Sequence, residues 1–316
     1  MKRVTGLMLV CALVMAVSGL AHAGQKVIGF SNRTMNGTYF AALSDAMQKE
    51  GDKAGYKMII TDAQTNFTKQ ISDVEDMLTQ GVDYLLLNPQ DPKAGLQIVK
   101  RANAAGVPVI IIDSGLDDSA NVLTRIASSN VEGNILIGEY AAEITAGTPV
   151  KLALVSFMQG NMACQDRRVG FITGFVEKSL RDAGSVNLDI VMQTWALGTD
   201  EGGLKCMEDI LVAHPEVNAV YTETSLQLKG MINAIRAAGR SDVKVFSFDG
   251  AKFEYDAIKK GQIMATAENS PRKIVLTALD VIKRYENGER TFPNNMSPKA
   301  VMVNKQNVEA VYDDGF

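Results

Sequence analysis

The chain has 316 residues, is 46% hydrophobic and 22% charged, and carries a formal net charge of −4. That acidity excludes a general attraction for nucleic acid. Beyond the first residues no stretch approaches the ~18 consecutive apolar residues of a membrane helix, and the length exceeds what one core usually holds, so two domains are expected.

The first element is a leader. Met1-Lys2-Arg3 is basic, residues 7–17 are apolar, and Ala21-His22-Ala23 has the small-residue form of a cleavage site. Residues 1–23 read as a secretory signal peptide cleaved before Gly24. Without its two basic residues the mature chain has 30 basic against 36 acidic residues, or −6. Its remaining thiols are Cys164 and Cys206, and the sequence neither requires nor excludes a disulfide between them.

The first half then alternates predicted strands (26–30, 57–61, 82–87, 108–112) with predicted helices (39–54, 67–80, 92–105). In the second of these helices Ile71, Val74, Met77 and Leu78 share one face. The second half repeats the rhythm, with strands at 151–156, 189–194, 217–221 and 243–248 and helices at 166–183, 201–213 and 226–238. A further helix is predicted over 271–286. Such alternation predicts an α/β fold of two doubly wound parallel sheets, each covered by helices on both faces. No Pro-rich linker divides the halves, which favours a tight hinge over a flexible tether.

Two strand endings match. Val109-Ile110-Ile111-Ile112 runs into Asp113-Ser114-Gly115, and Val245-Phe246-Ser247-Phe248 runs into Asp249-Gly250. Ligands of open α/β sheets bind outside the carboxyl ends of the strands, so facing sheets would present one acidic acceptor from each side. Catalytic and cofactor signatures are missing. The mature chain has one histidine, His214, at a predicted helix end, and no Ser-His-Asp set, metal-spaced Cys/His cluster, phosphate loop or dinucleotide fingerprint. No metal or cofactor is expected. The enzymatic alternative is carboxylate chemistry, with Asp113 and Asp249 as acid and base.

Several strings carry a family resemblance: Leu85-Leu86-Leu87-Asn88-Pro89, Val107 to Asp113, Ala127-Ser128-Ser129-Asn130 leading to Gly138, Arg167 with Gly170-Phe171, Ala213-His214-Pro215-Glu216-Val217-Asn218-Ala219-Val220, and Val245 to Gly250. With them the chain resembles the type I periplasmic solute-binding proteins of the ribose-binding class, receptors of ABC sugar importers. The resemblance implies a periplasmic, monomeric, non-enzymatic protein of two lobes joined by a three-crossing hinge. The crossings are expected near 128–129, 269–270 and 296–297, giving lobes of 24–128 plus 270–296 and 129–269 plus 297–316. Its implied partners are a small ligand and an inner-membrane ABC permease, with a chemoreceptor or sensor kinase as the alternative.

Carried over residue by residue, Asp113 and Asp249 accept from ligand hydroxyls, Phe40 with Tyr39 forms an aromatic wall, and Ser31 is the polar residue ending the first strand. Other positions depart from the ribose pattern. Arg33 is an added cation in the 31–40 loop. Ser114 stands where an arginine follows the aspartate, and Gln165 stands at a ligand-contacting arginine, while Arg167 keeps a more structural one. Thr224 replaces an asparagine and Asn269 a glutamine. Gly198 falls where the second lobe has an aromatic, leaving Trp195 as a substitute ring or a rim residue. Losing two arginines argues against ribose and for another neutral sugar, a sugar alcohol or a cyclitol.

Overall fold

A computed structural model describes residues 24–117 and 119–316; the leader and its cleavage site lie outside them. The first sheet is built by β1 (Val27–Asn32), β2 (Lys57–Asp62), β3 (Tyr84–Leu87), β4 (Val109–Ile112) and β5 (Thr124–Ile126). Between the first four run α1 (Thr38–Lys53), α2 (Phe67–Thr79) and α3 (Pro92–Ala104). β3 and β4 are buried at every residue. That is what a wholly apolar four-residue run requires when helices cover both faces.

The second sheet follows the same plan. Its strands are β6 (Val150–Ser156), β7 (Leu188–Trp195), β8 (Ala219–Thr222), β9 (Lys244–Phe246) and β10 (Ala265–Ala267). Its helices are α4 (Asn130–Ile144), α5 (Met162–Ala183), α6 (Asp200–Ala213), α7 (Leu228–Ala237) and α8 (Lys252–Lys259). The chain then returns to the first sheet with α9 (Pro271–Glu286) and β11 (Asn295–Met296), and ends at the second with β12 (Met302–Asn304) and α10 (Val308–Val311). The strand orders are β11-β5-β4-β3-β1-β2 and β12-β10-β9-β8-β6-β7. Neighbours are parallel except for β12, which runs antiparallel to β10. This is an α/β fold with two parallel-dominated sheets. Ile274, Val275 and Ala278 of α9 share a core with Phe30, Ile110 and Ile112, whereas Val303 and Val308 join the core of the second sheet. The chain therefore passes between sheets after β5, after β10 and after β11.

Several features differ from the sequence reading, which did not predict α4, α8, α10, β11 or β12. The three-residue strands β5 and β10 were not expected, being too short to show a period. α5 starts at Met162, four residues earlier than predicted, because Asn161 Oδ1 accepts from the Cys164 amide at 3.0 Å and caps the helix. Cys164 and Cys206 are both buried free thiols; burial pushes the Cys164 thiol up to about 12. α4 and α5 pack at backbone contact through glycines. A Cβ at Gly138 would lie 2.0 Å from the Phe171 carbonyl oxygen, and one at Gly174 2.1 Å from that of Ile135. The resemblance strings at Gly138 and Gly170-Phe171 thus mark a helix crossing that admits no side chain.

Candidate functional site

A cleft of about 910 Å³ opens between the carboxyl ends of the two sheets. Asp113 follows β4 and Asp249 follows β9, and both line it. Both have positive φ, 64° and 134°. L-residues adopt such angles at a cost, and they recur where a site holds them in place.

Asp113 receives the Tyr39 hydroxyl on Oδ1 at 3.0 Å. Burial raises its pKa above the usual carboxylate value, against the lowering effects of the Tyr39 hydrogen bond and the Arg167, Arg33 and Arg125 charges. Asp249 is more fully engaged by the protein. Its Oδ2 accepts from Thr224 Oγ1 (2.8 Å), the Ser225 amide (2.9 Å) and Ser225 Oγ (3.1 Å), and its Oδ1 from Arg167 Nη1 (3.2 Å). Arg167 also donates to Asn130 Oδ1 and the Glu223 carbonyl, and stacks 4.1 Å above the Phe248 ring. It ties α5 to the start of α4 and the ends of β8 and β9.

The opposite wall comes from α1. Gly37, at φ 105°, turns the chain into the helix, and Tyr39 and Phe40 follow at its first turn with ring centroids 5.4 Å apart, edge to face. Arg33 Nη1 reaches Ser114 Oγ at 3.4 Å and its guanidinium lies 5.7 Å from the Phe40 ring. Arg125, on β5 beside Ile111 of β4, donates to the Asp113 carbonyl at 3.3 Å. Arg33 Nε, Arg125 Nε and Gln90 Oε1 are buried without a hydrogen-bond partner among the described residues, and all three residues line the cleft. Buried polar groups of this kind are costly unless something pairs with them.

Of the residues singled out from sequence, Arg33, Tyr39, Phe40, Asp113, Ser114, Arg167, Thr224, Asp249 and Asn269 line the cleft, and Ser31, Gln165 and Trp195 do not. Ser31 is fully buried on β1 between β2 and β3. Gln165 is two residues from Arg167 on one helix, and positions i and i+2 face apart. Trp195 ends β7, the outermost strand of its sheet, and is 38% exposed. Sequence reasoning missed Gln90, Arg125, Asp166 and Phe316, which also line the cleft. A charged residue between apolar neighbours, as in Thr124-Arg125-Ile126, was the available signal. Arg125 adds a guanidinium donor that the sequence reading did not count, supplied by a neighbouring strand next to Ser114-Gly115.

A family model of the periplasmic binding protein domain matches residues 28–290. The chain belongs to that family. The ribose import binding protein RbsB of Bacillus subtilis (strain 168) is 34% identical over 291 residues, covering 90% of each chain. RbsB of Salmonella typhimurium is 32% identical over 290 residues, covering 92% of this chain and 94% of the relative. Among solved structures, an ABC transporter solute binding protein from Bacillus halodurans C-125 with bound myo-inositol is similar at a TM-score of 0.75 and 26% identity, covering 92% of this chain and 98% of that one. Membership implies a periplasmic binding protein of a transport system, not an enzyme. Among the described residues no helix is long and apolar enough to cross a membrane.

Proposed function

We propose that this periplasmic binding protein takes up one small, neutral, polyhydroxylated ligand and delivers it to an ABC importer. The candidates are a sugar, a sugar alcohol or a cyclitol. One observation carries the reading: the Asp113 carboxylate, the Arg33 and Arg125 guanidiniums and the Gln90 amide line one cleft. A hydroxyl both donates and accepts, so a polyol can satisfy all of them. The lining guanidiniums Arg33, Arg125 and Arg167 are matched by the carboxylates Asp113, Asp166 and Asp249, which favours no net ligand charge. Tyr39 and Phe40 offer apolar faces to ring carbons.

Residues 24–128 with 270–296 act as one lobe and 129–269 with 297–316 as the other. Ligand contacts from both favour the closed form, and the closed monomer docks on the permease. Docking on a chemoreceptor or sensor kinase would use the same closed form. The leader directs export, with cleavage before Gly24.

Thermal unfolding of the mature protein against ribose, arabinose, galactose, ribitol and myo-inositol tests the reading. A ligand at about 1,000 times its Kd adds roughly 4 kcal/mol to the native state and moves the midpoint by several degrees. Silence across the panel, in protein shown by mass spectrometry to be ligand-free, refutes it.

A further inference from the structure

No motif or periodicity along the chain singles out Phe316. It lines the cleft, although it lies twelve residues beyond β12 and far in sequence from every other lining side chain. Its ring meets Tyr39 edge to face, with centroids 5.4 Å apart, and Tyr39 is the residue that holds Asp113. Tyr39 belongs to α1, which packs on the first sheet, whereas residues 308–312 pack into the core of the second. The two rings therefore meet across the cleft.

The segment carrying this ring is anchored at successive positions. The Phe316 carbonyl accepts from the Lys252 amide at 2.8 Å, just after Asp249-Gly250-Ala251. Gly315 lies against Tyr255, where an added Cβ would be 2.7 Å from the ring. Asp314 pairs with Arg272 at 3.3 Å and Lys273 at 3.3 Å, and its carbonyl accepts from Ser270 Oγ at 3.2 Å. Arg272 also pairs with Glu50 of α1 at 3.0 Å. Residues 312–316 thus form a strap from the core of the second sheet to the helices of the first, and it ends with an aromatic ring in the cleft.

We infer that Phe316 is a specificity-determining residue: the 312–316 strap brings its ring into the cleft from the second-lobe side and sets it against Tyr39, the partner of Asp113. The inference rests on the polyol reading above. Tyr39, Phe40 and Phe316 are the aromatic residues lining the cleft, and Phe316 alone among them comes from the second-lobe side. A ring packed against Tyr39 at the cleft wall extends the apolar surface offered to a ligand's carbons, excludes water from them, and leaves the hydroxyls to Asp113, Arg33 and Arg125.

Isothermal titration with whichever of ribose, arabinose, galactose, ribitol or myo-inositol shifts the wild-type midpoint, repeated on Phe316→Ala and Phe316→Tyr, tests this. The expected result is a roughly tenfold weaker Kd for Phe316→Ala, recovery to within about threefold by Phe316→Tyr, and unliganded midpoints close to wild type. Asp314→Ala, which loosens the strap and keeps the ring, is expected to weaken binding by less than Phe316→Ala. Unchanged affinity in Phe316→Ala overturns the inference and leaves the polyol reading standing. Equal weakening in the Ala and Tyr variants with lowered unliganded midpoints also overturns it, since the ring would then be structural. Failure of the wild type to bind any panel member overturns the polyol reading and this inference together.

Discussion

The Tyr39 hydroxyl donates to Asp113 Oδ1 at 3.0 Å, joining the first turn of α1 to the end of β4 across 74 residues of sequence. Burial raises the pKa of both groups, so the pair holds an acid in a place that disfavours its charge. The cost of charging that acid is met when a ligand supplies further donors, which makes the pair a device for binding rather than for stability.

Asp113→Asn separates the two roles. Asparagine keeps an acceptor for Tyr39 and tolerates the φ of 64°. Because burial raises the folded-state pKa of Asp113 above its usual 3.8, the folded protein binds more protons than the unfolded one in the window above 3.8. Stability from this group therefore falls as pH rises through that window and is level above the folded pKa. Unliganded Asp113→Asn is expected to lose this slope and unfold at a higher temperature than wild type at pH 7. Its ligand affinity is expected to drop by about 2–5 kcal/mol, the usual cost of losing one partner of a buried charged hydrogen bond. Thermal midpoints from pH 3 to 8, with titration calorimetry at pH 7, check both halves.

Asp249→Ala is expected to behave differently. Its carboxylate holds Thr224, Ser225 and Arg167, and alanine at φ 134° is strained. Leaving a largely buried guanidinium with one fewer partner should cost about 3–5 kcal/mol of stability, with weaker binding following from a displaced Arg167. Urea unfolding of the unliganded protein reads this directly, and a midpoint equal to wild type would contradict the bonding described.

Arg125→Ala removes a donor whose Nε has no partner in the unliganded protein. Unliganded stability should change little, while ligand affinity falls tenfold to about a hundredfold, as for a lost hydrogen bond to a charged group (~1.5–3 kcal/mol). Calorimetry on the wild type and the variant with the same panel ligand decides it.

Gly174→Ala tests the α4–α5 crossing. The new Cβ would lie 2.1 Å from the Ile135 carbonyl oxygen and 2.8 Å from its Cα, and backbone cannot swing aside as a side chain does. A loss of about 1–3 kcal/mol or more is expected, measured as a lowered urea midpoint at unchanged m.

The sequence by itself determined the local pattern. Apolar runs such as 85–87 and 109–112 had to be buried strands, because three or four consecutive aliphatic side chains need cover on both faces. Asp113 and Asp249 were visible because a polar residue and a turn interrupt such runs at one end, where α/β sheets bind ligands. These are relations among residues a few positions apart, and they survive in any fold that uses those elements. Tertiary structure alone decided which distant groups meet. Arg125 enters the cleft through its register with Ile111 on the next strand, Gln165 stays out of it on a different face of α5 from Arg167, and Phe316 arrives through the ion pairs of Asp314 to Arg272 and Lys273. Sheet order, register and long-range pairing fix these positions, and no periodicity along the chain encodes them.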